Sequence, residues 1–436
     1  VKVANDADVI VVGAGPAGSC AALAAALGGL EVILVERGPF PGSKNMYGGV
    51  VYPRILDELV PEWWTTAPIQ RWVVKRSTML LSDAGALNIE YRGNSWGRPP
   101  YNGATAYRPD FDNWLADQAV RAGATLLCST TVTSLLRDEA GRVIGIATDR
   151  PDGELRAPLV IACDGVNSFL AKQADLYPPM DSSHFTLGVK ETLSLPREVI
   201  DERFGVRDDE GVDIEILGGT SGVNGGGFIY TNSDTVSLGV VLKLSKLAGQ
   251  STRPEEIIGQ LKRHPAIAPL IEGSEILEYS AHVIPEAGLK MMPKMTADGL
   301  MVAGDAAAMC LAAGIWLEGV NFAMASGMYA GRTAVASHEA NDASARFLKR
   351  YTDSLNDSFV LQDHRKLRNI PELVLSDRVQ HSYPGFVTSV LQRMFQVDNP
   401  RAKPGLRRIV REERKRAGIK LRHLLRDGWI GMRGFG

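Results

Sequence analysis

The 436-residue sequence predicts an α/β fold: a parallel-sheet unit begins near the first residues, an antiparallel β-sheet is inserted into it, and a helical extension ends the chain. Three observations carry this. A short apolar run at residues 7–12 ends in Gly13-Ala14-Gly15-Pro16-Ala17-Gly18 and passes into small apolar residues. Residues 184–282 hold β-branched stretches and glycine clusters such as Gly225-Gly226-Gly227, with no clear helical period until 254–261. Beyond Ala345 the pattern turns mostly helical and charged.

Taken in order, residues 7–12 read as a strand, the glycines as a tight turn, and the following stretch as a helix that stops at Gly28-Gly29. A second β-rich run, 32–35, ends at Glu36 and completes a β-α-β unit. Two further apolar runs, 159–162 and 300–303, end in the polar turns Cys163-Asp164-Gly165 and Gly304-Asp305, so both read as parallel strands whose carboxyl ends face a ligand. The expected division is 1–75, 105–180 and 284–344 for the discontinuous parallel-sheet unit, 76–104 and 181–283 for the inserted β-sheet, and 345–436 for a helical, basic C-terminal region.

Composition narrows the partners. A formal net charge of −2 argues against nucleic acid over the molecule as a whole. The four cysteines, Cys20, Cys128, Cys163 and Cys310, lie far apart without metal-site spacing, which argues against a metal cluster held by this chain alone. They read as small buried residues of a reducing compartment, so the expectation is the cytoplasm. No run approaches the roughly 20 apolar residues that span a bilayer, and the first residues lack a basic-then-apolar layout. Membrane contact is therefore expected to be peripheral, at the inner face of the cell membrane.

The fingerprint has a physical reading. Gly13 permits the tight turn, Gly15 lets the backbone approach a pyrophosphate, and Gly18 lets the helix pack on the strand. Phosphates then meet the unpaired N–H groups at the helix start. Glu36 is placed to accept from ribose hydroxyls. With strand, helix and acid in order, the unit is Rossmann-like and binds a dinucleotide; the alternative is a glycine-rich turn without a ligand.

Later motifs choose the dinucleotide. Arg108 stands in Tyr107-Arg108-Pro109-Asp110-Phe111-Asp112, Asp164-Gly165 in Ile161-Ala162-Cys163-Asp164-Gly165-Val166, and Asp305 in Gly304-Asp305-Ala306-Ala307. Singly these have bland readings, as a surface arginine, a turn former and a helix cap. In order, the sequence resembles the FAD-dependent oxidoreductases of the para-hydroxybenzoate hydroxylase fold. The resemblance implies that Arg108 contacts the FAD pyrophosphate region and that Asp305, after Gly304, accepts from the ribityl hydroxyls, with Asp164 in the family's Asp-Gly motif. It also implies that two segments surround the isoalloxazine. One is the loop Gly42-Ser43-Lys44-Asn45-Met46-Tyr47-Gly48-Gly49, in which Lys44 and Gly48 are candidate contacts; the other is Glu318-Gly319-Val320-Asn321, which opens a helix to about Ser337. Arg37, beside Glu36, completes the expected cofactor-binding set.

Within that family the sequence is similar to the FixC-type electron-transfer-flavoprotein:quinone oxidoreductases. The similarity rests on the 42–49 loop, Ile284-Pro285-Glu286-Ala287-Gly288 followed by Met292-Pro293-Lys294, the Gly304 and Glu318 motifs, and Asp427-Gly428-Trp429. It implies a FixABCX-like complex in which FAD takes electrons from an electron-transfer flavoprotein and hands them to a membrane quinone. Larger single-chain relatives carry a ferredoxin-like four-iron domain. The cysteines here lack that spacing, so any iron–sulfur cluster is expected on a separate small ferredoxin-like subunit. No catalytic side chain is nominated; His282 and Lys294 stand near the motifs but read as structural or surface residues.

From 401 to 436, twelve Lys or Arg face only Glu412, Glu413 and Asp427, a local charge of +9 that leaves about −11 on the remainder. This tail suits an anionic lipid surface or an acidic partner, or is a solvated helix face. Before it, Phe386, Val387, Val390, Leu391, Met394 and Phe395 recur at helical spacing, a stripe for a bilayer surface or for packing. Three rival functions share these features. They are a geranylgeranyl-reductase-like reduction of isoprenoid double bonds, an aromatic flavin monooxygenase or halogenase, and a redox-silent scaffold; the aromatic stretches associated with the first two are absent from the sequence.

Overall fold

The computed structural model describes residues 5–45, 49–286 and 288–435. Val9–Val12 pairs in parallel with Val32–Val35 on one side and with Leu159–Ala162 on the other, so Val12 lies level with both Val35 and Ala162. Leu300–Val302 extends the sheet beyond Leu159–Ala162, Thr125–Leu127 extends it beyond Val32–Val35, and Thr296–Ala297 closes one edge antiparallel. Val9–Val12 and Leu159–Ala162 are buried at every residue, as strands covered on both faces must be. The chain leaves Val9–Val12 in one direction while Leu159–Ala162 flanks it on the other. That reversal opens a crevice at the carboxyl ends of the two strands.

Helix Pro16–Leu27 starts with proline in its first turn, where a missing N–H costs nothing. It crosses Val320–Ala340 at close range: a Cβ on Gly327 would stand 1.9 Å from the Ala17 carbonyl oxygen, and one on Gly331 2.4 Å from that of Ala21. These glycines let two backbones touch beneath the glycine turn.

The second sheet runs in the order Glu275–Pro285, Phe185–Ser194, Thr235–Lys243, Gly225–Thr231, Glu210–Leu217, Ile69–Ser82, Ala104–Ala106 and Gly49–Val51, with Gly85–Arg92 beside Ile69–Ser82. Its pairs are antiparallel except that Glu210–Leu217 lies parallel to Ile69–Ser82. The strand Ile69–Ser82 runs through the expected division at 75, and Gly49–Val51 and Ala104–Ala106 also join this sheet rather than the parallel one. Val212, Ile214 and Ile216 face a separate apolar core with Val189, Leu238 and Leu261. Alternation then turns Asp213 and Glu215 toward the opposite face.

Helix Pro254–Arg263 falls where the periodicity predicts one, but Arg197–Phe204 is a helix that the sequence reading passed over. It is only eight residues long and buries just Ile200 and Phe204, too few apolar positions to set a period. In the C-terminal region, helices Ala345–Asp357, Phe359–Lys366, Tyr383–Phe395, Leu406–Arg416 and Leu421–Phe435 follow one another. Arg378 clasps Asp427 at 2.7 and 2.8 Å, and the Tyr383 hydroxyl donates to the same carboxylate at 2.6 Å, which fastens the last helix to this region.

Candidate functional site

A cavity of about 490 Å³ begins at the carboxyl ends of the parallel strands and reaches the inner face of the second sheet. At its first end stand Gly13, Gly15, Glu36 and Arg37. Glu36 ties the turn together, one carboxylate oxygen accepting from Ala14 N–H at 3.0 Å and the other from Gly38 N–H at 2.6 Å. Each oxygen keeps a lone pair for a further donor. A Cβ on Gly15 would meet no heavy atom within 4 Å among the described residues; it would point into open cavity at the start of the helix.

Along the middle of the cavity stand Lys44, Arg108, Asp164 and Asp305. Arg108 is oriented by Asp112 one helical turn on, and Asn45 donates to the same carboxylate. Asp164 accepts from Leu170 N–H at 3.1 Å through one oxygen, while its buried Oδ1 finds no partner among the described residues. Burial raises the pKa of both Asp164 and Asp305, with Arg108 and His282 pulling Asp305 back down. Gly319, Val320 and Asn321 also line the cavity; Asn321 Nδ2 donates to Glu318 at 2.5 Å, while its buried Oδ1 is unpartnered among the described residues.

Gly304, grouped with the expected cofactor contacts, stands off the cavity wall, and Gly18 packs against the first strand and its turn as the fingerprint reading has it. Neither lines the cavity. A Cβ on Gly18 would stand 1.8 Å from the Gly13 carbonyl oxygen, and one on Gly304 2.7 Å from Ala17 Cβ, so both glycines serve close packing behind the turn. Gly48 lies outside the described residues. His282, read as structural or surface, lines the cavity, whereas Lys294 is exposed.

The far wall belongs to the inserted sheet, expected as the substrate side, but none of its individual side chains was anticipated. Arg76 donates from Nε to Asp213 at 3.1 Å and from Nη2 to Glu215 at 2.7 Å and to the Ile315 carbonyl at 2.7 Å. Thr78, Glu215, Phe228 and Tyr230 face the cavity from this sheet, with Phe228 and Tyr230 stacked at 4.8 Å. Lys190 and Glu286 also line it; burial brings Lys190 down to about 7 and Glu286 up to about 7. The alternation of Asp213 and Glu215 with Val212, Ile214 and Ile216 is a sequence signal for a half-polar strand.

Comparison with known proteins places this architecture. Residues 8–174 match an FAD dependent oxidoreductase family, 99–357 an FAD binding domain, and 370–436 the ETF-QO/FixC family C-terminal domain. A probable electron transfer flavoprotein-quinone oxidoreductase, YdiS of Escherichia coli K12, is 38% identical over 97% of this chain and 98% of its own length. Protein FixC of Azorhizobium caulinodans is 39% identical over 98% of this chain and 96% of its own. The chain belongs to the ETF-QO/FixC family. Among solved structures, a geranylgeranyl bacteriochlorophyll reductase-like protein from Thermoplasma acidophilum shares the fold, with a TM-score of 0.72, 22% identity, and 97% of this chain and 99% of the other covered.

Members of this family are FAD-dependent oxidoreductases, and the residues present here fit FAD. The open space over Gly15 suits a pyrophosphate on the helix start, and the unpartnered Asp164 Oδ1 and Asn321 Oδ1 are acceptors awaiting donors along an elongated cavity. Among the described residues no group of three His, Cys, Asp or Glu is placed to hold a metal ion, and no helix is long and apolar enough to cross a membrane.

Proposed function

We propose that the chain is the FAD-carrying electron relay of a FixABCX-like assembly, taking electrons from an electron-transfer flavoprotein and passing them to a membrane quinone. One observation carries the reading: residues 370–436 match the ETF-QO/FixC C-terminal domain, in a chain that aligns over 97% of its length with a probable electron transfer flavoprotein-quinone oxidoreductase. When bound, FAD exchanges electrons singly or in pairs, which suits a relay between one-electron carriers and a two-electron acceptor. The chain's own residues divide the remaining work. In this reading the Gly13–Gly15 turn, Glu36, Arg37, Lys44, Arg108, Asp164, Asp305 and the Gly319–Asn321 segment hold the cofactor, and the second sheet forms the far wall against which the quinone ring lies.

Any iron–sulfur cluster belongs, on this proposal, to a small ferredoxin-like partner. Cys20 and Cys163 are buried, and among the described residues no group of three His, Cys, Asp or Glu is placed to hold a metal ion. Peripheral contact with an anionic bilayer is assigned to the C-terminal helix. There Leu421, Leu425, Trp429 and Met432 recur at helical spacing and are exposed, with Arg422, Arg426 and Arg433 beside them. The stripe on Tyr383–Phe395 divides: Val390 is buried, while Met394 and Phe395 are exposed.

Anaerobic stopped-flow reduction of the FAD-loaded chain tests the relay. Reduction by a reduced electron-transfer flavoprotein but not by NADH or NADPH, followed by reoxidation with a soluble quinone analogue, is the expected outcome. Direct reduction by NADPH with turnover of an isoprenoid or aromatic substrate would overturn it.

A further inference from the structure

At one place on the far wall, buried carboxylates outnumber the guanidinium that bridges them. Arg76 is the one guanidinium bridging Asp213 and Glu215, whose side chains are 3% and 7% exposed. Glu318 adds a third carboxylate close enough to raise Glu215 further. Tyr52 reaches Asp213 with its hydroxyl at 3.5 Å, and Tyr230 stands opposite Asp213 on the neighbouring strand. Of the bridged pair, only Glu215 lines the cavity; it sits between Thr78 and Phe228, its partners in register on either side. Two buried carboxylates against one arginine share a proton near neutrality. Burial, then the charge of Asp213, pushes Glu215 up to about 8, against the pull of Arg76.

We propose that Glu215 is the proton donor to the carbonyl oxygen of the electron acceptor bound in this cavity, and that Arg76 is the positioning residue that aims it. The proposal rests on the reading of that acceptor as a quinone. Reduction of a quinone to a quinol consumes two electrons, supplied through the enzyme's redox cofactor, and two protons. In one of the two transfers the O–H bond of the Glu215 carboxyl breaks, a quinol O–H bond forms, and Glu215 is left as a carboxylate. Water supplies the second proton and later reprotonates Glu215. Arg76 and Asp213 keep the carboxyl turned to the cavity and set how readily it lets go.

The test uses the full FAD-loaded chain, reduced with dithionite so that no partner protein is needed. It is mixed anaerobically with a short-chain ubiquinone analogue or with ferricenium, a one-electron acceptor that takes no proton. Glu215→Gln is expected to slow reoxidation by quinone about 100-fold, the scale of general acid catalysis, and to leave ferricenium oxidation unchanged. Glu215→Asp should recover part of the quinone rate. The wild-type quinone rate should fall as pH rises through about 8, and the glutamine variant should lose that limb. Infrared spectroscopy of the oxidised protein should show a carboxylic-acid carbonyl band at pH 7 that Glu215→Gln removes. A glutamine variant with the wild-type quinone rate, or one slowed equally with both acceptors, overturns the donor role alone. A wild-type protein that ferricenium oxidises and quinone does not would overturn the quinone reading and this inference with it.

Discussion

Arg108 grips Asp112 through two parallel hydrogen bonds, Nε to Oδ1 at 2.8 Å and Nη2 to Oδ2 at 2.9 Å, and Asp112 is wholly buried. The guanidinium is thereby fixed at the cavity wall before any ligand arrives. Asp112→Asn removes the charge and one acceptor of the fork, a loss worth about 1.5–3 kcal/mol for a charged hydrogen bond. We expect FAD affinity to fall by about tenfold or more. Titration of the apoprotein with FAD, followed by flavin fluorescence, checks this; wild-type affinity would mean that Arg108 needs no such support.

Two glycines should separate binding from folding. Gly15→Ala places a methyl in open cavity, so the thermal midpoint of the apoprotein should hold while FAD binding is lost. Gly327→Ala drives a methyl into the Ala17 backbone, an overpacking cost of about 1–3 kcal/mol. Its midpoint should drop with or without FAD. Calorimetry on both apoproteins decides the matter, and equal midpoints would refute the assignment.

Glu286 is buried, and burial lifts its folded pKa to about 7 from the ordinary value of 4.5. The folded state therefore binds a proton that the unfolded chain releases above 4.5. Its contribution is fully present below that value and is lost as pH rises through about 7. Glu286→Gln stays neutral, so it should be more stable than wild type at pH 8, by on the order of 2 kcal/mol, and nearly equal to it at pH 4. Lys190, lowered to about 7, contributes in the opposite sense, losing stability as pH falls, and is common to both proteins. Urea unfolding of the two apoproteins across this range measures the difference.

Leu425 and Met432 are 67% and 65% exposed, so replacing both with serine should leave stability within about 0.5 kcal/mol. If the C-terminal helix meets the bilayer as proposed, cosedimentation with anionic liposomes should fall several-fold. Undiminished binding by the folded double variant would exclude this helix as the contact.

How much of the site is legible in the sequence depends on the range of the interaction that makes it. Gly13, Gly15, Glu36 and Asp164 each sit where a short apolar strand gives way to a turn, a signal spread over a few residues. Gly18 packs behind the turn as the fingerprint's spacing predicts, whereas the place of Gly304 was not legible, because the Gly-Asp pattern does not say on which side of a backbone the space is needed. The Arg76, Asp213 and Glu215 cluster joins residues up to 139 apart through the pairing of Ile69–Ser82 with Glu210–Leu217. No local period carries that pairing, although the alternation around Asp213 marks one face of its strand as polar. The Arg197–Phe204 helix escaped notice because its two buried residues, one turn apart, fit several patterns equally well.

The order of strands in the parallel sheet bears on when the cofactor can be acquired. The glycine turn at Gly13 is made before the other walls of its crevice: one flank comes from Leu159–Ala162, and Asp305 and Gly319 follow later still. A nascent chain that has made only its first β-α-β unit offers FAD a turn without walls. A complete pocket for the flavin therefore exists only once synthesis has passed Gly319, so capture should follow the making of both sheets, and flavin shortage should leave an empty folded protein rather than stalled fragments.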